Sequence, residues 1–126
     1  MNVMRSLRRV QALGKALADE TRLKILAALC RSDLCVCELS DALALPQPRI
    51  SNHLGWLRRE GFVKTRRDGT WIYYGISPEV RPTLEAVSER GLSLDGPEAK
   101  RLERRLAMRV GGKCLRSYGA ISGRTT

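Results

Sequence analysis

The chain has 126 residues, 23 of them lysine or arginine and 13 aspartate or glutamate, for a formal net charge of +10. That length suits one domain with at most a tail, and the charge points to an anionic partner, nucleic acid ahead of a membrane surface. No run of about 18 apolar residues occurs, and the N-terminal MNVMRSLRRVQAL is interrupted by charge too often for a signal-peptide core, so a cytoplasmic location and no membrane partner are expected. In that compartment the four cysteines are expected to be thiols, available as ligands or redox groups.

Leu7, Val10, Leu13 and Leu17 outline a first amphipathic helix ending near Ala18. Asp19 suits an N-cap, and Thr21 to Cys30 forms a second helix with Leu23, Leu26 and Cys30 on its inner face. After a short polar link, LCVCELSDALAL reads as a third helix with Val36, Leu39 and Leu43 inward. Leu45 to Gln47 make a tight turn, and a fourth helix runs from Pro48 to Arg59, started by proline and stopped by Gly61. The period then changes. FVKTRRDGTWIYYGI alternates, is rich in β-branched and aromatic residues, and centres on Asp68-Gly69, the signature of a hairpin. Ser77-Pro78 opens a further helix with Val80, Leu84 and Val87 on one side. Gly91 to Pro97 reads as a linker, Glu98 to Val110 as a basic amphipathic segment, and Gly111-Gly112 as the opening of a loose tail that carries Cys114. The division expected is residues 1–90 as a DNA-binding and dimerisation domain and 91–126 as a basic extension.

Two helices, a tight turn and a basic hairpin make a mostly α winged helix-turn-helix. Its fourth helix has an apolar stripe of Ile50, Leu54 and Leu57, and no acid before Glu60. Gln47, Arg49, Ser51, Asn52 and His53 lie near its start and are side chains able to reach base edges or phosphates in a major groove. Arg66 and Arg67 flank the hairpin tip and suit an adjacent backbone or minor groove. The plain alternative is an ordinary solvated helix with a basic surface. His53, the one histidine, fits DNA contact or local packing better than a metal, and Trp56 and Trp71 fit packing better than base stacking. Basic residues of the extension serve solubility or phosphate attraction equally well.

Cys35 and Cys37 open the third helix. In a regular helix, side chains two apart point to nearly opposite sides, so a shared ion requires a distorted first turn. A helix N-terminus favours thiolates, and an ion gripped there would pull the first turn out of shape and shift the adjoining helix. The ordinary alternative is two small apolar fillers.

ADETRLKILAAL followed by DLCVCELSDALALPQPRISNHLGWLRREGFVKTRRDGTWIYYGISP resembles the ArsR/SmtB family of metal-responsive repressors, and its arsenic-responsive branch in particular, over roughly residues 11–90. The resemblance implies a homodimer on an inverted-repeat operator, released when trivalent arsenic or antimony binds cysteine thiolates. It implies a dimer interface from Leu7–Leu17 and Val80–Val87, and no organic cofactor. It also implies a third cysteine three residues after Cys37, where this chain has Ser40. A third thiolate then comes from Cys30, which lies on a core stripe, or from Cys114, the preferred candidate, unless the site is two-coordinate. Zinc- and nickel-sensing relatives use histidines and carboxylates on the last core helix, and no histidine stands there. Cadmium and lead, which accept thiolates, remain alternatives. So do a thiol-redox regulator of the same fold and an architectural DNA binder with no inducer. An enzyme is not expected, because no base is placed to activate a cysteine.

Overall fold

A computed structural model describes residues 6–114. Its elements are α1 (Leu7–Ala18), α2 (Glu20–Arg31), α3 (Val36–Leu43), α4 (Gln47–Arg59), β1 (Val63–Asp68), β2 (Trp71–Ile76), α5 (Arg81–Glu85) and α6 (Gly96–Ala107). Asp19 caps α2 as its sequence position suggests, its side chain accepting from the Arg22 backbone N–H at 3.0 Å. The helices close on one hydrophobic cluster that includes Ile25, Leu29, Leu39, Ile50, Leu54, Leu57, Phe62, Val80 and Leu84. The three residues of the α4 apolar stripe are fully buried. At about 1.5–3 kcal/mol for each buried Leu or Ile, that stripe holds α4 with its polar face turned outward.

α3 ends in a tight corner. Ala44 takes a left-handed φ of 56°, a conformation that strains any residue bearing a Cβ by about 1–2 kcal/mol. The Leu45 N–H and the Ser40 hydroxyl hold it, bonding respectively to the Ser40 and Leu45 carbonyls. Pro46 then caps α4, with Pro48 in its first turn. α4 stops at Gly61, whose φ of +82° suits glycine.

The two strands pair antiparallel, with Asp68 opposite Trp71. The turn residues are therefore Gly69-Thr70, one position later than the Asp68-Gly69 centre expected from sequence. Gly69 has φ +64°, so the glycine stands first in the turn, as a type II′ turn requires. Leu34 adds a single antiparallel bridge to Tyr74, its N–H and carbonyl bonding across at 3.0 and 2.8 Å. The wing is thereby fastened to the residue before Cys35.

The stripe of α1 divides: Leu13 and Leu17 pack against the core beside buried Ala12 and Ala16, while Leu7 is 87% and Val10 48% exposed. Three other expectations change. The helix after Ser77-Pro78 is only the five residues of α5. Val80 and Leu84 lie in the chain's own core, and Val87 beyond the helix is exposed. The basic segment is not a solvated appendage, since α6 packs along α3 with Leu102 inside the common core. The glycine pair after it does not open a loose tail. Gly111 and Gly112 have φ of 61° and 77°, and a bridge joins Val110 to Lys113. Two consecutive positive φ values are what a type I′ turn requires, and this turn sends the chain back toward the wing.

Candidate metal centre and DNA-reading surface

Cys35 is the N-cap of α3, with φ −88° and ψ 170°, and not part of its first turn. Its extended backbone removes the obstacle raised by helical spacing. The Cys35 and Cys37 sulfurs are 3.1 Å apart with α3 undistorted. Cys114 Sγ completes a triangle at 3.2 Å from Cys35 and 3.4 Å from Cys37. Cys35 and Cys114 are buried and Cys37 half-buried. The first-turn distortion expected from sequence is thus not needed to bring the three sulfurs together.

Three devices hold the triangle. Glu38, fully buried, accepts the Cys35 N–H at 3.1 Å, the reciprocal half of a capping box. Arg109 of the post-α6 segment grips both Glu38 oxygens at 2.8 and 2.9 Å and donates to the Asp33 carbonyl at 2.7 Å. The Cys114 N–H donates to the Tyr73 hydroxyl at 2.8 Å, tying the third sulfur to β2. Arg105 is 3% exposed. Its Nε bonds Asp41 at 2.8 Å, and Nη2 approaches Cys114 Sγ at 3.4 Å and Cys37 Sγ at 3.6 Å.

These contacts divide the protons unequally. S–H donation from Cys114 and then from Cys35, aided by Arg105, outweighs burial and pulls the Cys37 thiol down to about 3. The hydrogen bonds to Cys114 and Cys37, followed by burial, push Cys35 strongly up. For Cys114 the Cys35 S–H acts downward, but donation to Cys37, burial and the Cys37 charge raise it to about 12. Burial alone would lower Arg105; the Cys114 and Cys37 sulfurs and Asp41 more than offset it. Of the three sulfurs, Cys37 is thus the one whose thiolate the surroundings favour.

Cys30 stands apart from this group. It packs against the hydrophobic core, and burial raises its thiol. Ser40, where the arsenic branch has its third cysteine, is engaged by the α3–α4 corner. Among the described residues, the Cys35–Cys37–Cys114 group is the one set of three His, Cys, Asp or Glu side chains placed to hold a metal ion. A soft, three-sulfur donor set fits a thiophilic ion.

Gln47, Arg49, Ser51 and Asn52 are exposed along α4, and His53 is half-buried. Arg49 also reaches the Thr21 hydroxyl at 3.3 Å. The two wing arginines differ. Arg67 is open to solvent, whereas Arg66, also exposed, is anchored, with its guanidinium 4.6 Å over the Tyr73 ring and 3.4 Å from Asp33. Trp56 stacks on Phe62 with centroids 6.2 Å apart, beneath the Arg22 guanidinium, and Trp71 packs beside the cysteines.

Glu38, Asp41, Tyr73, Arg105 and Arg109 were not singled out from sequence. The spacing of Glu38 three residues after Cys35 is a capping-box signal that was available, and Arg101, Arg105 and Arg109 recur every four residues. Nothing local pairs those arginines with α3.

A helix-turn-helix with a basic antiparallel wing defines the class: a winged helix-turn-helix regulator that binds DNA. The sequence profile of the arsR family of bacterial regulatory proteins matches residues 19–65. An arsenical resistance operon repressor of Escherichia coli is 38% identical over 96 residues, 75% of this chain and 82% of that protein. The chain belongs to the arsR family. It is also 47% identical to an arsenic resistance transcriptional regulator of Pseudomonas putida over 74 residues, 58% of each protein, so it spans less than two thirds of that relative. Among solved structures it resembles HlyU of Vibrio cholerae, with 41% identity, a TM-score of 0.58, and coverage of 64% of this chain and 88% of that one. A cadmium sensor of Mycobacterium tuberculosis superposes with a TM-score of 0.55 at 32% identity, covering 68% of this chain and 91% of the other. Among the described residues no helix is long and apolar enough to cross a membrane.

Proposed function

We propose that the chain is a metalloid-responsive transcriptional repressor that binds an inverted-repeat operator as a homodimer and leaves it when trivalent arsenic or antimony is held by Cys35, Cys37 and Cys114. The observation that carries this reading is the triangle of three sulfurs 3.1–3.4 Å apart. The E. coli relative, named a repressor of arsenical resistance, supports both the sign of regulation and the inducer. Gln47, Arg49, Ser51, Asn52 and His53 of α4 would read the groove, with Arg67 and, once freed from Asp33, Arg66 on the flanking backbone. Exposed Leu7 and Val10 on α1 and exposed Val87 supply apolar surface for a second copy. Residues 91–126 then act as an extension of the 1–90 domain that brings the third sulfur and the arginines behind it.

An inducer shifts the equilibrium only if it binds the DNA-incompetent shape better. The triad is placed for such a preference. Its three sulfurs come from the start of α3, the first turn of that helix, and the segment after α6, and Tyr73 and Leu34 link them to the wing. A change in sulfur spacing would therefore be felt by the wing.

The test is operator release followed by fluorescence anisotropy on reduced protein, titrating arsenite, antimonite, cadmium, lead and zinc separately, with hydrogen peroxide as a further arm. Release by arsenite or antimonite that is lost in Cys35→Ser, Cys37→Ser and Cys114→Ser and kept in Cys30→Ser is the expected result. Release by peroxide alone would replace the metalloid reading with a thiol-redox one. Operator binding indifferent to every addition would leave DNA binding without an inducer.

A further inference from the structure

The three sulfurs do not set the charge of their own surroundings. Arg105 lies against Cys37 and Cys114 and is bonded to Asp41 at 2.8 Å. Arg109, the other guanidinium at the site, is bonded to Glu38 at 2.8 Å. At the rim, Arg66 faces Asp33 and Lys113 faces Asp68, each at 3.4 Å. Each of these cations has a carboxylate partner, so the fixed charges of these pairs around the triad sum to zero. Three thiolates around a trivalent ion also sum to zero, whereas around a divalent ion they leave one negative charge in a mostly buried site. A buried net charge without a counter-ion is disfavoured.

We infer that Asp41 is a specificity-determining residue: by neutralising Arg105 it makes the wall of the cysteine site favour trivalent over divalent thiophilic ions. This rests on the triad being the ligand set. Asp41 touches none of the sulfurs in any described contact and is 28% exposed at its side chain, so its role is electrostatic and can be separated from ligation. Asp41→Asn keeps the shape and an oxygen to accept the Arg105 Nε–H but leaves the guanidinium charge unbalanced beside Cys37 and Cys114. That positive charge suits a divalent ion's trithiolate, with its one net negative charge. Arg105→Gln does the reverse, leaving the Asp41 charge uncompensated.

The experiment is equilibrium competition between arsenite and cadmium(II) for the reduced full chain, read by the sulfur-to-metal ultraviolet absorption of the wild type, Asp41→Asn and Arg105→Gln. Melting curves establish that each variant is folded. Asp41→Asn is expected to raise cadmium affinity relative to arsenite by about tenfold, the size of a charge interaction across a few ångströms at intermediate dielectric, discounted for partial exposure. Arg105→Gln is expected to move the ratio the opposite way; a purely structural disturbance would not produce opposite signs. An unchanged ratio in folded Asp41→Asn, with arsenite still bound, overturns the inference alone. If wild-type protein binds neither ion, or binds both equally well after Cys35→Ser and Cys114→Ser, the ligand-set reading fails and the inference falls with it. Should Arg105→Gln not fold, Asp41→Asn decides.

Discussion

Arginine is used in two contrasting ways in this molecule. Along the α3–α6 seam, Arg105 and Arg109 are largely withdrawn from water and aimed at carboxylates and sulfurs. On α4 and the wing, Arg49, Arg58, Arg59 and Arg67 stand exposed. Withdrawn arginines fix geometry, because leaving either partner alone costs several kcal/mol. Exposed ones contribute little to folding and are free to neutralise phosphate. Because each withdrawn arginine is matched by a carboxylate, those pairs cancel, and the net charge of +10 is carried by the rest of the chain.

The contrast can be tested from its buried side first. Glu38→Ala should destabilise the protein by about 3–5 kcal/mol, the range for breaking a buried ion pair. It strands Arg109 and uncaps the Cys35 N–H. Urea unfolding measures the loss, and a loss below about 1 kcal/mol would mean that water replaces the carboxylate. On the exposed side, Arg49→Ala should weaken operator binding by about 1–3 kcal/mol with unfolding stability changed by about 0.5 kcal/mol or less. An unchanged operator titration would remove Arg49 from the reading set. The smallest effect sharpens the boundary between the two regimes. Arg31 and Glu103 pair at 2.8 Å between α2 and α6, but both are more than half exposed. Glu103→Ala should cost about 0.2–1 kcal/mol, and a loss as large as that for Glu38 would show that proximity, and not burial, ranks these pairs.

The same contrast explains what could be read before any coordinates. Helix periodicity and turn chemistry report which face is apolar and where the chain bends, so α1 to α4 and the hairpin were legible, with Asp19 as a cap. Cys35 and Cys37 were legible as a pair. Their geometry was not, because one residue of difference between N-cap and first turn decides whether two sulfurs meet. How the α1 stripe divides was not legible: exposed Leu7 and Val10 have the same helical spacing as Leu13 and Leu17, which pack on the core. Glu38, Asp41, Arg105 and Arg109 were missed because their pairings span 64 and 71 residues. Charged residues carry no periodic signal of burial, and a run of arginines looks the same solvated or clamped.

The turn at Gly111-Gly112 has an implication for how such a chain can vary. Cys114 reaches its partners by a count: a helix laid along α3, a short exit, two glycines in left-handed conformations, then the sulfur. Outward positions on α6 can change freely without moving that atom. A single inserted or deleted residue between Arg109 and Cys114 shifts the phase of the return and turns the thiol away from Tyr73. The third ligand is thus constrained by length more than by composition, and related chains should keep the spacing between the buried arginines and this cysteine even where the intervening letters differ.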